Sequence, residues 1–185
     1  MLLLIMEIAI KKYKGVIFIQ KNQCIKSVSV DNEQVKITVQ KLPDRPGIAG
    51  ELFTKLAENN INIDLIIQNL RHSESYNDLT FTINKKYLID NNRILPRITS
   101  KLGAQNAEVD TTVSKITVNG EGMIKTPGVA AAVFKSLGNA NINIQLIATS
   151  EEQICCLIDE RDSDLAVETI ERQFKTDWQV KFTLL

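Results

Sequence analysis

The stretch that decides the fold is "RPGIAGELFTKLAENNINIDLI" at residues 45–66, because it returns as "TPGVAAAVFKSLGNANINIQLI" at residues 126–147. The two segments align without a gap at an offset of 81 residues, and eleven of the 22 positions in 46–67 have an identical partner. Repeats of this length are domains, not turns of a solenoid. A chain of 185 residues has room for two small domains. The sequence therefore predicts a tandem pair.

Both repeats have the same order of predicted elements. Alternating apolar residues at 35–39 predict a strand, and a Pro-Gly turn then opens a helix with Ile48, Leu52 and Leu56 on one face. Two strands, a second helix and a last strand follow. Pro96 lies in the second helix of the first repeat and either kinks that helix or begins it. The order βαββαβ, present twice, predicts an α+β fold of two ferredoxin-like units.

The bulk composition argues against several classes of function. Lys plus Arg and Asp plus Glu number 22 each, so there is no charge excess for nucleic acid or for an anionic membrane. The three cysteines form neither a disulfide framework nor a zinc spacing, and His72 has no partner for metal binding or catalysis. The apolar start of the chain lacks the features of a signal peptide and is too short to span a bilayer. We expect a cytoplasmic protein with no cofactor, no metal and no catalytic site.

Two segments carry a resemblance to a known family. They are "LPDRPGIAGELFTKLAENNINIDLIIQN" at 42–69 and "VSKITVNGEGMIKTPGVAAAVFKSLGNANINIQLIATSE" at 113–151. Together they resemble the tandem ACT domains at the C-terminal end of aspartokinases, over about residues 26–174. On this basis we expect a segment at 1–25 that resembles the tail of a kinase domain, a first ACT domain at 26–112 and a second at 113–185.

The resemblance implies a function and partners. It implies the regulatory, amino-acid-sensing part of an aspartokinase, which gives feedback control of aspartate phosphorylation in lysine, threonine and methionine biosynthesis. It implies lysine or threonine as effector, a homodimer, and a kinase catalytic domain or subunit as partner. In the family a strand that precedes the first unit completes the second; here residues 26–30 are one candidate, and the alternating strand from Trp178 is the other.

A free amino acid needs donors for its carboxylate and acceptors for its ammonium. The N-terminus of a helix offers unpaired amides and the positive end of the helix dipole. The first helix opens at Pro46-Gly47, so we expect its amides to bind the carboxylate and nearby polar side chains to bind the ammonium. Strand alternation places Asp64, Ile66 and Gln68 on one face. The candidate donors are the amides of Gly47, Ile48 and Ala49, and the candidate acceptors are Asp44, Asp64 and Gln68.

The second repeat has lost both carboxylates. At the same offset Asp44 becomes Lys125 and Asp64 becomes Gln145. We therefore expect the first repeat to hold the main recognition groups. By the family resemblance, the second repeat contributes Asn143, Ile144 and Ser150. Two alternatives stay open: a free-standing tandem ACT regulator, and a dimerisation module with no ligand.

Overall fold

The computed structural model describes residues 17–21, 25–69, 75–91, 94–121, 123, 125–175 and 178–182. Within these ranges the strands form two four-stranded sheets and one two-stranded pair. The elements in chain order are β1 (Ile17–Lys21), β2 (Ser27–Asp31), β3 (Gln34–Pro43), α1 (Ile48–Ala57), β4 (Ile63–Asn69), β5 (Tyr76–Asn84), α2 (Lys86–Asn91), α3 (Ile94–Lys101), β6 (Asn106–Asp110), β7 (Val113–Asn119), α4 (Val129–Asn139), β8 (Leu146–Thr149), β9 (Gln153–Asp159), a 3-10 turn (Glu160–Asp162), α5 (Ser163–Lys175) and β10 (Trp178–Phe182).

The first unit is a sheet in the order β4-β5-β3-β6 with α1, α2 and α3 on one face. All its strand pairs are antiparallel, and the order is that of a ferredoxin-like fold, as the sequence predicts. The apolar stripe of α1 explains its position, because Leu52 and Leu56 are completely buried against the sheet. Phe53 of α1 meets Phe81 of β5 edge to face, with ring centroids 5.7 Å apart.

The second unit is a sheet in the order β2-β7-β9-β8 with α4 and α5. Its fourth strand comes from before the first unit: β2 pairs with β7 from Ser27 opposite Asn119 to Asp31 opposite Lys115. Of the two candidates for this place, the segment at 26–30 is therefore confirmed. The strand from Trp178 instead pairs with β1. The division at residues 25/26 and 112/113 stays a prediction, although residues 27–31 belong to the second sheet.

Pro96 lies close to the first residue of a helix. α2 ends at Asn91 and α3 begins at Ile94, so Pro96 lies in the first turn of α3. Amides there have no partner within the helix, and a missing N–H costs little. Pro96 therefore lies at the start of α3, which is one of the two predicted alternatives. The sequence expectation for residues 1–16 falls outside the described residues.

The two units bury the sheet faces that their own helices leave open. Thr82 lies between the core residues Phe81 and Ile83 and so points away from the helices, yet it is completely buried. Leu157 in β9 is the equivalent case. The central strands β3 and β7 contact each other across this interface. Among the described helices, none combines the length and the apolar character needed to cross a bilayer.

Candidate functional site

Both first helices begin with the same unusual glycine. Gly47 precedes α1 with φ 87° and Gly128 precedes α4 with φ 97°, in the left-handed region that favours glycine. At neither helix does a side chain cap the first turn. The amide of Ile48 donates to the carbonyl of Arg45 at 3.3 Å, while its side chain is buried in the core. The first turn of an α-helix leaves its amides without partners inside the helix, and an anion site uses such amides.

The turn before α1 is fixed at both ends. Asp44 is exposed, and its amide donates to the carbonyl of Ser75 at 2.9 Å. The Arg45 guanidinium forks onto Glu51 with N–O distances of 2.6 and 2.7 Å, and this hydrogen bonding raises the pKa of Arg45 and lowers that of Glu51. Asp44 thus lies in an ordered turn, three residues before the Gly47 that opens α1.

A bulge in β4 separates Asp64 from Gln68. Ile63 pairs with Ile83 and Ile66 with Phe81, so the register shifts between them. The prediction that Asp64, Ile66 and Gln68 share one face is wrong, because the bulge interrupts the alternation. Asp64 instead accepts a hydrogen bond from the Lys115 ammonium of the second unit, with side chains 37% and 16% exposed. Gln68 is exposed and lies opposite Leu79.

The second-repeat candidates lie at opposite ends of β8. Asn143 and Ile144 precede this strand; Asn143 is exposed and Ile144 packs on the core. Ser150 follows the strand, and its amide donates to the carbonyl of Gln153 at 2.9 Å. Ser150 lines a cavity of about 570 Å³ that Asn143 and Ile144 do not line. The other lining residues are Lys26, Ser27, Asn119, Gly120, Glu121, Glu151, Glu152 and Gln153.

Sequence reasoning missed the lysines that cross between the units, among them Lys85, whose ammonium lies 3.1 Å from the Glu160 carboxylate. Lys115 reaches Asp64, and Lys36 donates to the side-chain oxygen of Gln145, the equivalent of Asp64 in the second repeat. Lys36 is also 3.1 Å from Asp110 in its own sheet. The available signal was a second, shorter repeat, "KITV" at 36–39 and at 115–118.

Other chemistry finds little support in the described residues. In that part of the chain no three His, Cys, Asp or Glu side chains come together as a metal site. Cys155 and Cys156 are buried. Burial, with a smaller contribution from Cys155, raises the pKa of Cys156 to about 12, so its thiol stays protonated at neutral pH.

Comparison with known proteins agrees with this geometry. The ACT domain family matches residues 36–86 and again, in a second form, residues 116–174. A crystal structure of aspartokinase alpha and beta subunits has a chain 34% identical to this one, with a TM-score of 0.75; the match covers 82% of this chain and 99% of that one. The chain belongs to the regulatory ACT-domain family of the aspartokinases.

Further members of this family extend the comparison. The regulatory subunit of aspartate kinase from Thermus thermophilus is 29% identical, with a TM-score of 0.76 and coverage of 82% and 99%. The aspartate kinase of Stutzerimonas stutzeri is 33% identical over 153 residues, which are 83% of this chain but 37% of that enzyme. The chain thus spans little more than a third of such relatives. Escherichia coli aspartokinase III in complex with lysine and aspartate shares the fold, with a TM-score of 0.62, 22% identity and coverage of 82% and 33%.

Proposed function

We propose that this chain senses an aspartate-family amino acid and controls an aspartokinase catalytic domain or subunit by feedback. The observation that carries the proposal is the turn at 44–49, where an uncapped helix N-terminus follows the left-handed Gly47 and adjoins the exposed Asp44. This turn supplies amides for a carboxylate and, within three residues, a carboxylate for an ammonium, which are the two groups that a zwitterion needs.

The proposed effector is lysine or threonine, bound mainly through the first repeat. The family membership supports this choice, and the structure of the E. coli relative with the same fold is a complex with lysine and aspartate. In our proposal Gly47, Ile48 and Ala49 surround the carboxylate, and Asp44, Asp64 and Gln68 take the polar groups. Asp64 and Gln68 lie at opposite ends of β4, so we propose that one ligand meets them from two different copies of the chain. Asn143, Ile144 and Ser150 are likewise proposed to come from a second copy.

Calorimetric titration with lysine and with threonine tests the sensing proposal. Replacing one charge-assisted partner, as in Asp44→Ala or Asp64→Ala, should weaken binding by about ten- to a hundredfold. The matched changes Lys125→Ala and Gln145→Ala in the second repeat should have a much smaller effect, since those positions hold no carboxylate. If the parent chain binds neither amino acid, the sensing proposal is wrong. If Gln145→Ala weakens binding more than Asp64→Ala, the site belongs to the second repeat.

We also propose that the chain depends on a catalytic partner. Incubated alone with ATP, Mg²⁺ and aspartate it should yield no acyl phosphate, and turnover by the pure chain would overturn this point. Its proposed effect on the kinase works through coupling: an effector shifts the enzyme only by its differential affinity for two arrangements, which is about 1–3 kcal/mol in typical systems.

Homodimer formation has its own support. Ile66 on β4 and Ile147 on β8 are equivalent in the repeat, lie on edge strands, and are 50% and 43% exposed. Edge strands with exposed apolar side chains favour pairing with another copy. Light scattering should give twice the chain mass at micromolar concentration, and Ile66→Lys should lower the dimer fraction. The same surface is the observation that favours the alternative, a dimerisation module that binds no amino acid.

A further inference from the structure

Two lysines hold equivalent positions in the two units. Each begins the tetrapeptide "KITV" on a central strand, Lys36 on β3 and Lys115 on β7. Each donates to the start of the β4-type strand in the other unit: Lys115 to Asp64 and Lys36 to Gln145. Since Asp64 and Gln145 are themselves equivalent in the repeat, the two contacts are related by the internal duplication.

Each lysine also faces a carboxylate on the fourth strand of its own sheet. Lys36 lies opposite Asp110 in the register, and the two form an ion pair of 3.1 Å. Lys115 lies opposite Asp31 on the exchanged strand β2. Lys36 therefore demonstrates that an ammonium in this position reaches the carboxylate of the fourth strand. By the same geometry, Lys115 has a second partner within reach in Asp31, whose carboxylate also accepts hydrogen bonds from the Glu33 amide and the Gln34 side chain.

One difference distinguishes the two clusters. Lys36 meets a neutral amide across the interface and keeps an ion pair with Asp110, whereas Lys115 meets the carboxylate of Asp64. The Lys115 side chain is only 16% exposed, so a nearby carboxylate stabilises its ammonium. Of these two contacts between the units, that of Lys115 with Asp64 is thus an ion pair, and that of Lys36 with Gln145 is a hydrogen bond to a neutral amide.

We propose that Lys115 is a built-in competitor for Asp64, which sets the affinity for an amino-acid effector. The inference rests on the proposed function, in which the effector's ammonium uses Asp64. An arriving ammonium replaces the Lys115 ammonium at the same carboxylate, and Lys115 moves to Asp31. Lys115 keeps a carboxylate partner, so the net charge of this cluster changes only by the charge of the bound effector. The ion pair between Lys115 and Asp64 is broken, and the contact between Lys36 and Gln145 remains.

The proposal fixes the direction of a substitution. The observed affinity reflects the difference between two ammonium–carboxylate contacts, so removing the competing ammonium should tighten effector binding. Partly exposed ion pairs are weak, so we expect a gain of about two- to fivefold for Lys115→Met. Met supplies an apolar side chain in place of the Lys115 stem, so the packing of that stem is kept. Lys36→Met is the matched control and should give no gain, because Gln145 carries no charge.

Calorimetric titration of the purified chain with lysine, and separately with threonine, tests the inference. The variants are Lys115→Met, Lys36→Met, Asp64→Asn and the double variant Asp64→Asn/Lys115→Met, with Lys115→Gln as substitute if the Met variant does not fold. Competition predicts that Lys115→Met tightens binding in the parent and has no effect in the Asp64→Asn background. If Lys115 has a purely structural role, Lys115→Met should change the affinity in the Asp64→Asn background as well.

The outcomes separate the inference from the proposed function. If the parent binds an amino acid and Lys115→Met binds it equally or less tightly, the inference is overturned while sensing stands. A gain of the same size in Lys36→Met also overturns it. If neither the parent nor Lys115→Met binds lysine or threonine, the proposed function fails first and the inference fails with it.

Discussion

The glycine before α1 allows a test in which two neighbouring residues respond with opposite signs. Gly47 has φ 87° and Gly50 lies inside α1, and a methyl group added at either would meet no atom within 4 Å. An added methyl group therefore makes no steric contact at either site, and the backbone conformation alone determines the change in stability. A residue with a Cβ in the left-handed region costs about 1–2 kcal/mol, partly offset by about 0.4–1 kcal/mol from the less flexible unfolded chain.

The expected free energies of unfolding follow from these terms. Gly47→Ala should be less stable than the parent by about 1 kcal/mol. Gly50→Ala should be more stable by about 0.5–1 kcal/mol, because alanine favours the helix over glycine. Urea unfolding followed by circular dichroism at 222 nm measures both. If the two variants shift in the same direction, the left-handed start of α1 is not a feature of the folded protein.

The same substitution separates stability from binding. Gly128→Ala, with φ 97° and equally open space, should lose as much stability as Gly47→Ala. We expect only Gly47→Ala to weaken effector binding, since its methyl group stands beside the proposed carboxylate site. Equal losses of affinity in both variants would contradict the assignment of that site to the first repeat.

Three further results are expected. Leu52→Ala removes a completely buried side chain and should lower the free energy of unfolding by about 2–5 kcal/mol in chemical denaturation, whereas a loss below 1 kcal/mol would contradict the described core. Hydrogen bonds from the side chain and amide of Arg161 hold the pKa of Asp159 at about 2, below its usual 3.8. The resulting contribution to folding stability is present above pH 4 and is lost as the pH falls through 2. Arg161→Ala should therefore raise the pKa of Asp159 in an NMR titration. Cys156, with a pKa of about 12, should be alkylated by iodoacetamide at pH 8 far more slowly in the native protein than in urea, as peptide mapping can show.

The elements of the fold were accessible from the sequence because local patterns and the duplication agree. The stripe of Ile48, Leu52 and Leu56 predicts α1, and the repeat predicts the same helix 81 residues later. Membership of a sheet is different, since a short alternating strand such as 27–31 is compatible with either unit. Its place beside β7 depends on which sheet lacks a fourth strand, and that is a property of the whole chain.

The candidate site was less accessible for a related reason. Alternation places Asp64 with Ile66 and Gln68, but the bulge in β4 arises from pairing with β5 and leaves no mark in the alternation itself. The helix N-terminus at Gly47 was predicted because a Pro-Gly turn followed by an apolar stripe is a local signal. The partners of Asp64 and Gln145 come from another unit, so only the packed structure reveals them.

The duplication and the replacement of the Asp64 carboxylate by Gln145 together suggest how sensing is directional. Two equivalent lysines cross a nearly symmetric interface, and the change from Asp64 to Gln145 makes one crossing ionic and the other neutral. A ligand ammonium therefore competes on one side only, and the opposite contact between Lys36 and Gln145 keeps its partner. The ion pair between Lys85 and Glu160, 3.1 Å long, also joins the units and does not involve Asp64, so we expect them to stay together when the contact of Lys115 is exchanged. We therefore expect a charge exchange at Asp64 to select between two arrangements of the assembly only to the extent that the effector binds them unequally.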